Sequence, residues 1–511
     1  MQQKKSINFG FRGWMLILFQ AIAFATFQAA TNYPLNIMNS MFDGFAGSVG
    51  GGQQLLAMIY TIAAVVAIII QLIVSSKVGR VKSMKTVAMV LGGISLVLLL
   101  LMMVLNPFSA TVPWLICYGI VNVTSVMYAT FAIGILIGQW FPTRKGTVMG
   151  IATFAFPIAN GLIGAFAGSI FGGAAPVLGG VVGEALGKAT DGASAGALGN
   201  ILGLMEQGNL PGAIGNFQFT EVFASPAGDA FKTAVSSTIF RSFLPFFIVF
   251  VVGWLIGLIF IKDYPEQVGA YRDNDKSLTP EIAKAMMEQE IENKKTTVWK
   301  LGHTLKNRDF WFITLPMGFL LMFSIGTMTL TQDICAAVGI VGDGYSSTMV
   351  MIMIFGLIGS YILGLLDTKF GTKKSILIAL CIMVIAGILG FVSSPNHPGL
   401  LRASLICLAL FMGASSNYTV SAAAQYWRRE DFSSVFAVVN PIANILGSSG
   451  PMIISALYQK SYNAIFLVTG IIGVVSLILC GLFSKGHVKE VDDKYRAAAG
   501  KPLDDALVGR K

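Results

Sequence analysis

The chain has 511 residues, of which 55% are hydrophobic and 12% charged, and a formal net charge of +10. A soluble globular chain carries roughly 25% charged residues, so a soluble domain is excluded, and repeated apolar runs of about 20 residues indicate membrane-spanning helices. The positive charge sorts by alternate loops, a membrane pattern that removes nucleic acid as its explanation.

Twelve spans are expected, near 13–38, 53–75, 86–105, 113–139, 146–171, 240–261, 310–335, 347–366, 375–394, 401–426, 434–458 and 463–484. The start, Met1 to Lys5, lacks the layout of a cleavable signal: the first apolar run is span-length and no small-residue cleavage site closes it. The first span is therefore expected in the mature protein. With both termini cytoplasmic, only Lys188, Lys232, Arg241, Arg402 and Lys460 of the 35 Lys and Arg fall outside. That is the bias expected of cytoplasmic loops.

The expected fold is an all-α integral membrane protein with twelve transmembrane helices in two pseudo-symmetric six-helix halves. Residues 1–261 form the first half, including an external Gly/Ala-rich insertion at 172–238. A cytoplasmic linker covers 262–309, the second half 310–484, and a cytoplasmic tail 485–511. The chain is expected in the cell membrane as a multi-pass, monomeric protein.

Unsatisfied polar groups are costly in hydrocarbon, so Asn and Gln mark spans that face protein or water. Span 1 carries Gln20, Gln28, Thr31 and Asn32, span 4 carries Asn122, Thr124, Ser125 and Tyr128, and span 5 carries Asn160. Segment 172–238 holds five acids, Glu184, Asp191, Glu206, Glu221 and Asp229, against two lysines. Loops this long are functional or irregular, and stretches 177–186 and 198–205 fit short amphipathic helices, as an insertion without a direct role or as an external lid. In the linker, Thr279 caps a helix running to about Asn293, with Pro280 in its first turn and Glu281 at its positive end.

Span 7 carries Thr327, Thr329, Thr331, Gln332 and Asp333, spans 10 and 11 carry Asn417, Tyr418, Asn440 and Asn444, and span 12 only Thr469 and Ser476. Spans 3, 6 and 9 have no Asn or Gln in their apolar cores. Every third span is thus lipid-like, and the others turn polar groups inward. Cys117, Cys335, Cys381, Cys407 and Cys480 lie in or beside spans without metal-ligand spacing, so no metal, cofactor or disulfide framework is expected.

The tetrapeptide Pro-Ile-Ala-Asn occurs twice, at Pro157–Asn160 and Pro441–Asn444, each time in the fifth span of a six-span half. A basic loop precedes each copy, with Arg144 and Lys145 before the first and Arg428 and Arg429 before the second. Two parallel halves with a site between them are the architecture of many secondary transporters. Pro157 and Pro441 each remove an intrahelical bond, and Gly161, Gly164, Gly447 and Gly450 permit close approach, which marks these spans as moving parts or as tight packing.

With its twelve spans and period-three polarity, the chain resembles the major facilitator superfamily over about 12–485. That resemblance implies that spans 1, 4, 7 and 10 line a cavity while 3, 6, 9 and 12 lie outside. The stretch Gly364 to Lys374, with Asp367, Gly371 and the following lysines, is similar to the superfamily's Gly-Asp-Gly-basic signature, whereas Leu72 to Arg80 keeps only Gly79 and the basic residues. Pseudo-symmetry places Asp367 near Arg144 at the start of span 5, where a helix N-terminus and a guanidinium favour a carboxylate. The expected role of that contact is a cytoplasmic gate.

Away from the membrane edges no span contains Lys, Arg, Asp, Glu or His, and His303, His397 and His487 lie in loops or tails. Tyr264 to Tyr271 weakly resembles linkers of the oxalate/formate-antiporter-like branch, yet spans 8 and 11 lack the cations on which that branch relies. The expected function is secondary active or facilitative transport of a small polar or weakly anionic metabolite by alternating access, as antiport, symport or uniport. Candidate substrate contacts are Gln28, Asn32, Asn122, Tyr128, Asn160, Gln332, Asn417, Tyr418 and Asn444. Asp333 is the candidate proton site, and Asp367, Arg144, Gly371, Pro157 and Pro441 are candidate gating residues. A multidrug exporter of the same fold and a transport-inactive membrane sensor are the alternatives. No intramembrane constellation of His or carboxylates suggests an enzyme, and no phosphate-binding loop suggests ATP-driven pumping.

Overall fold

The computed structural model describes residues 9–39, 41–42, 52–75, 83–141, 148, 155–188, 192–207, 209–217, 220–279, 281–282, 284–285, 288, 292, 296–428, 430–501 and 503. Among the described residues twelve helices are long and apolar enough to cross a membrane, so the chain is a multi-pass integral membrane protein. Span 1 is Gly10–Ile37, span 2 Gly52–Ser75, span 3 Met84–Val104, and span 4 Thr111–Trp140. Span 5 is Ala155–Gly187, span 6 Pro226–Phe260, span 7 Arg308–Thr329, and span 8 Asp343–Phe370. Spans 9 to 12 are Thr372–Phe391, Pro398–Tyr426, Phe432–Tyr458 and Tyr462–Leu482.

Spans 5 and 6 differ most from expectation. Span 5 continues to Gly187, and span 6 begins at Pro226, with Ser225 accepting a bond from Gly228 N at 3.2 Å and Asp229 in the first turn. The 35 residues of span 6 make a helix of roughly 52 Å, well beyond the ~30 Å hydrocarbon thickness, so both helices stand out of the bilayer. Helices Gly192–Glu206 and Leu210–Phe217 fill the space between them. Stretches 177–186 and 198–205 are thus parts of longer helices. Leu178, Val182, Leu198, Ile201, Ile214, Phe217 and Phe231 are buried, and the rings of Phe217 and Phe231 stack at 3.9 Å. Burial of these side chains, continuous with the core of the bundle, explains why so Gly-rich a segment is helical.

Three further departures are local. Span 4 contains a π-helical stretch at Met127–Ala132, and π-segments recur at functional sites. Span 7 breaks at Leu330 and resumes as Thr331–Ala336. Span 8 runs through Asp367 to Phe370, so the signature is not a loop; the chain reverses at Gly371 alone, whose φ of +92° suits glycine. Thr279 Oγ1 accepts from Ile282 N at 3.5 Å, which agrees with the helix start read in the linker.

Spans 1, 4, 7 and 10 bury 61, 67, 72 and 56% of their most apolar stretches, against 44% or less for the other eight. The polar map is matched at these four spans, whereas span 9, free of Asn and Gln, buries 44% against 24, 28 and 39% for spans 5, 8 and 11. Spans 3, 6, 9 and 12 expose rows of aliphatic side chains such as Val90, Ile94 and Val97, or Ile471, Val474 and Ile478. The halves meet through span 5 against span 8 and span 2 against span 11. Pro157 packs at Gly356 and Met353 at Gly161, where a Cβ would fall 2.8 and 2.3 Å from its neighbour. Within the second half, Gly326 meets Gly450 and Gly387 meets Gly470 backbone to backbone, as small residues allow in membranes.

Candidate functional site

Span 1 supplies the longest buried polar row, because Gln20, Gln28, Asn32 and Asn36 fall at multiples of four residues and drift slowly around one face. Asn32 Nδ2 donates to Gln28 Oε1 one turn below. Asn32 Oδ1 and Gln20 Oε1 are buried with no protein partner. Span 4 joins this row where Tyr118 Oη donates to Thr31 O at 2.8 Å, and Asn122 Nδ2 donates to Tyr118 O at 2.8 Å. Gln28 and Asn32 are thus joined on span 1, and Tyr118, which accepts from Asn122, ties span 4 to it beside Asn32. Asn160 is buried on span 5.

The second half holds a smaller polar group. Asn444 Nδ2 donates to Asn440 O at 2.8 Å and to Asn440 Oδ1 at 2.9 Å, and Thr419 Oγ1 donates to the same Oδ1 at 3.1 Å. Asn417, half-buried, lies two residues before Thr419 on span 10. Span 7 carries Ser324 and Thr327, whose hydroxyls are buried without partners, as is Gln332 Oε1 beyond the break.

Two of the tyrosines sit within their own halves. Tyr418 shares a 2.8 Å hydrogen bond with Ser375 Oγ and so ties span 10 to span 9. Tyr128 stacks on Phe250 at 5.6 Å and fills the notch at Gly92, between spans 3 and 6. Pro441 lies inside an unbroken span 11, with a second proline at Pro451.

The end of the bundle away from the linker holds a cluster of which the polar map singles out Asp333 but not Asn36, Asn39 or Tyr345. Asn36 Nδ2 donates to Met328 O at 2.9 Å, and Asn36 Oδ1 accepts from Tyr345 Oη at 2.7 Å. Asn39 Nδ2 donates to Asp333 Oδ2 at 3.1 Å, and Tyr458 Oη donates to Asp333 O at 3.2 Å. Lower down, Thr61 Oγ1 donates to Ser448 O at 2.9 Å between spans 2 and 11. Met328 O lies one residue before the end of span 7 and also accepts from Thr331 Oγ1 at 2.9 Å. Continued four-residue spacing from Gln28 through Asn32 to Asn36 is the available signal in sequence. Asp333 is thus a buried inter-half contact and not a solvated helix end.

At the linker end, Asp367 Oδ1 accepts from Thr372 Oγ1 at 2.6 Å, and Gln425 Oε1 accepts from Thr372 N at 2.7 Å. The Gly371 turn is thereby held against the end of span 10. Arg144, the expected partner of Asp367, lies outside the described residues.

Also at this end, helix Lys485–Ala498 of the tail closes a buried charge cluster. Arg428 pairs with Asp492 at 2.6 Å, and Arg496 with Asp431 at 2.6 Å, with Asp492 at 3.1 Å and with Glu430. Thr297 donates to Asp431 at 2.6 Å and Trp299 Nε1 to Asp492 at 2.8 Å, which brings in the linker. Burial pushes the Asp431 carboxyl up from its usual range, against the Thr297 bond and the Arg496 charge. Burial works against the Arg496 charge, yet Asp492, Asp431 and Glu430 together hold its pKa above the ordinary value.

Residues 314–507 match the family described as Major Facilitator Superfamily. No curated protein matches the chain. Among solved structures, the xylose transporter XylE from E. coli, in an inward open conformation, is similar over 94% of this chain and 99% of its own, at 13% identity and a TM-score of 0.59. A POT family transporter in complex with 5-aminolevulinic acid is similar over 93 and 98%, at 12% identity and a TM-score of 0.57. A mutant of the nucleoside transporter NupG is similar over 92 and 99%, at 11% identity and a TM-score of 0.53. With twelve spans among its described residues and likeness along nearly its whole length, the chain shares the fold of these structures, and its second half matches the Major Facilitator Superfamily.

Proposed function

We propose that the protein is an alternating-access carrier, and not an enzyme, that moves a small polar or weakly anionic metabolite between its halves. It works as a monomer in the cell membrane, with both termini, the linker and the tail on the cytoplasmic side and segment 172–238 outside. The observation that carries this reading is the group of buried polar atoms without protein partners on spans 1 and 7, among them Gln20 Oε1, Asn32 Oδ1, Ser324 Oγ, Thr327 Oγ1 and Gln332 Oε1. Each such group costs about 1–3 kcal/mol while nothing bonds to it, so these side chains fit partners gained when the halves move and a polar ligand or water reaches them. Gln28, Asn32, Asn122, Asn160, Gln332, Asn417 and Asn444 are the proposed contacts, with Tyr128 and Tyr418 as aromatic supports. The xylose, nucleoside and 5-aminolevulinic acid in the names of the similar structures are small polar molecules, which agrees in class.

A thermal-shift screen of purified protein against sugars, nucleosides, amino acids, small carboxylates and lipophilic cations tests it. A true substrate at a hundred times its Kd adds about 2.7 kcal/mol to apparent stability. That gain is expected to fall in Asn122→Ala and in Asn417→Ala. Stabilisation by lipophilic cations alone would move the reading to drug export. Binding without flux in proteoliposomes would leave a sensor.

Asp367 is proposed to hold the linker end shut through the basic start of span 5. Asp367→Asn is then expected to shift the population towards opening at that end, seen as a longer distance between spin labels on linker-end loops of the two halves. An unchanged distribution would remove the gate role.

A further inference from the structure

We infer that Asn36 and Tyr345, supported by Asn39 and Asp333, form the latch that closes the pathway at the end away from the linker. This inference rests on the carrier reading and assigns a gate to side chains that the polar map does not single out. Asn36 is 2% exposed, and both ends of its amide bond to the other half, 292 and 309 residues later in the chain. An amide offers one donor and one acceptor group on a short, planar head, which matches a carbonyl on one side and a phenol on the other. Asn39 repeats the link to the second half one turn further on.

The bonding is specific to the closed arrangement. Asn36, at the last turn of span 1, finds its acceptor at the frayed end of span 7 and its donor in the first turn of span 8. Tyr345 is 3% exposed, so separation of the halves at this end brings both side chains into water. Water then replaces the lost partners, and the two arrangements lie close enough in free energy for a carrier to exchange between them. Thr61 and Ser448 continue the seam between spans 2 and 11 towards the middle of the bundle. No such role follows for Gln28 or Asn32, which bond to each other within span 1.

Spin labels on S109C and K460C, in a background free of native cysteines, report the separation of the halves at this end without any substrate. Both positions are exposed, one in each half, on loops beside the latch. Asn36→Ala removes both bonds, whereas Tyr345→Phe removes one hydroxyl and keeps the ring, so it serves where Asn36→Ala folds poorly. Each is expected to raise the ratio of open to closed distances, by about tenfold for a bond whose partners are left buried and unpaired. The double variant should open no more than Asn36→Ala, because both changes break the same bond. Parent-like distance distributions in folded Tyr345→Phe and Asn36→Ala would overturn the latch and leave the carrier reading to the ligand screen. Opening in a chain that binds and transports nothing would keep the latch and reject the carrier.

Discussion

Arg496→Ala is expected to cost about 3–5 kcal/mol and to release the tail helix from the bundle, the usual consequence of removing one partner from a buried ionic group. Arg496 is 2% exposed and faces Asp431, Asp492 and Glu430, so its loss leaves these three and Asp493 against Arg428. Hydrogen exchange over 485–498 should rise most, followed by the linker at Thr297 and Trp299, which bond to the same carboxylates. Arg496→Lys should recover only part of the loss, since an ammonium cannot present a planar fork to several carboxylates at once. Acidification should shrink the defect. Asp431 has a folded-state pKa raised by burial, so its contribution is fully present below the unfolded carboxylate pKa and is lost as pH rises through the folded value. Without Arg496 that loss deepens, so parent and variant should diverge from mildly acidic pH to neutrality and converge below it. A variant that melts like the parent at neutral pH would show that the cluster contributes no net stability.

Gly359→Ala is expected to destabilise by about 1–3 kcal/mol, and Gly359→Leu to prevent folding, because spans 8 and 10 touch there through their backbones. A Cβ on Gly359 would lie 2.1 Å from the Leu410 carbonyl oxygen and 2.4 Å from its Cα, and main-chain atoms cannot turn aside as a side chain can. Gly364, five residues later on the same helix, has nothing within 4 Å of its Cβ position. Gly364→Ala should therefore be neutral or gain up to about 1 kcal/mol from helix propensity. The pair shares a helix and a chemical change, so the difference in melting temperature isolates the packing. Equal effects at the two positions would remove the close contact as a cause.

The period-three polarity is legible in the sequence, because burial of Asn and Gln in hydrocarbon is penalised wherever they sit. Spans 1, 4, 7 and 10 are indeed the most buried. Gln28, Asn32 and Asn122 follow from the same rule, and all three are buried. Tyr418 stands out by its polarity, but a hydroxyl can be satisfied by any neighbour, and here Ser375 takes it. Asn36 escapes the polar map although it sits at the next four-residue step, since its value depends on Met328 and Tyr345 in the other half. Local pattern understates the helices within 172–238 because glycine lowers propensity, whereas packing around Phe217 and Phe231 decides the outcome.

Local sums of hydrophobicity are additive along the chain, and bilayer thickness sets the length they must reach, so the sequence alone determined twelve spans and most of their limits. Reach beyond the bilayer, as in the 35-residue span 6, and the partners of Asn36, Asp333 and Arg496 were decided only by the tertiary structure. A hydrogen bond or ion pair is a short-range, directional contact between residues up to 309 positions apart, and nothing local to either residue specifies the other.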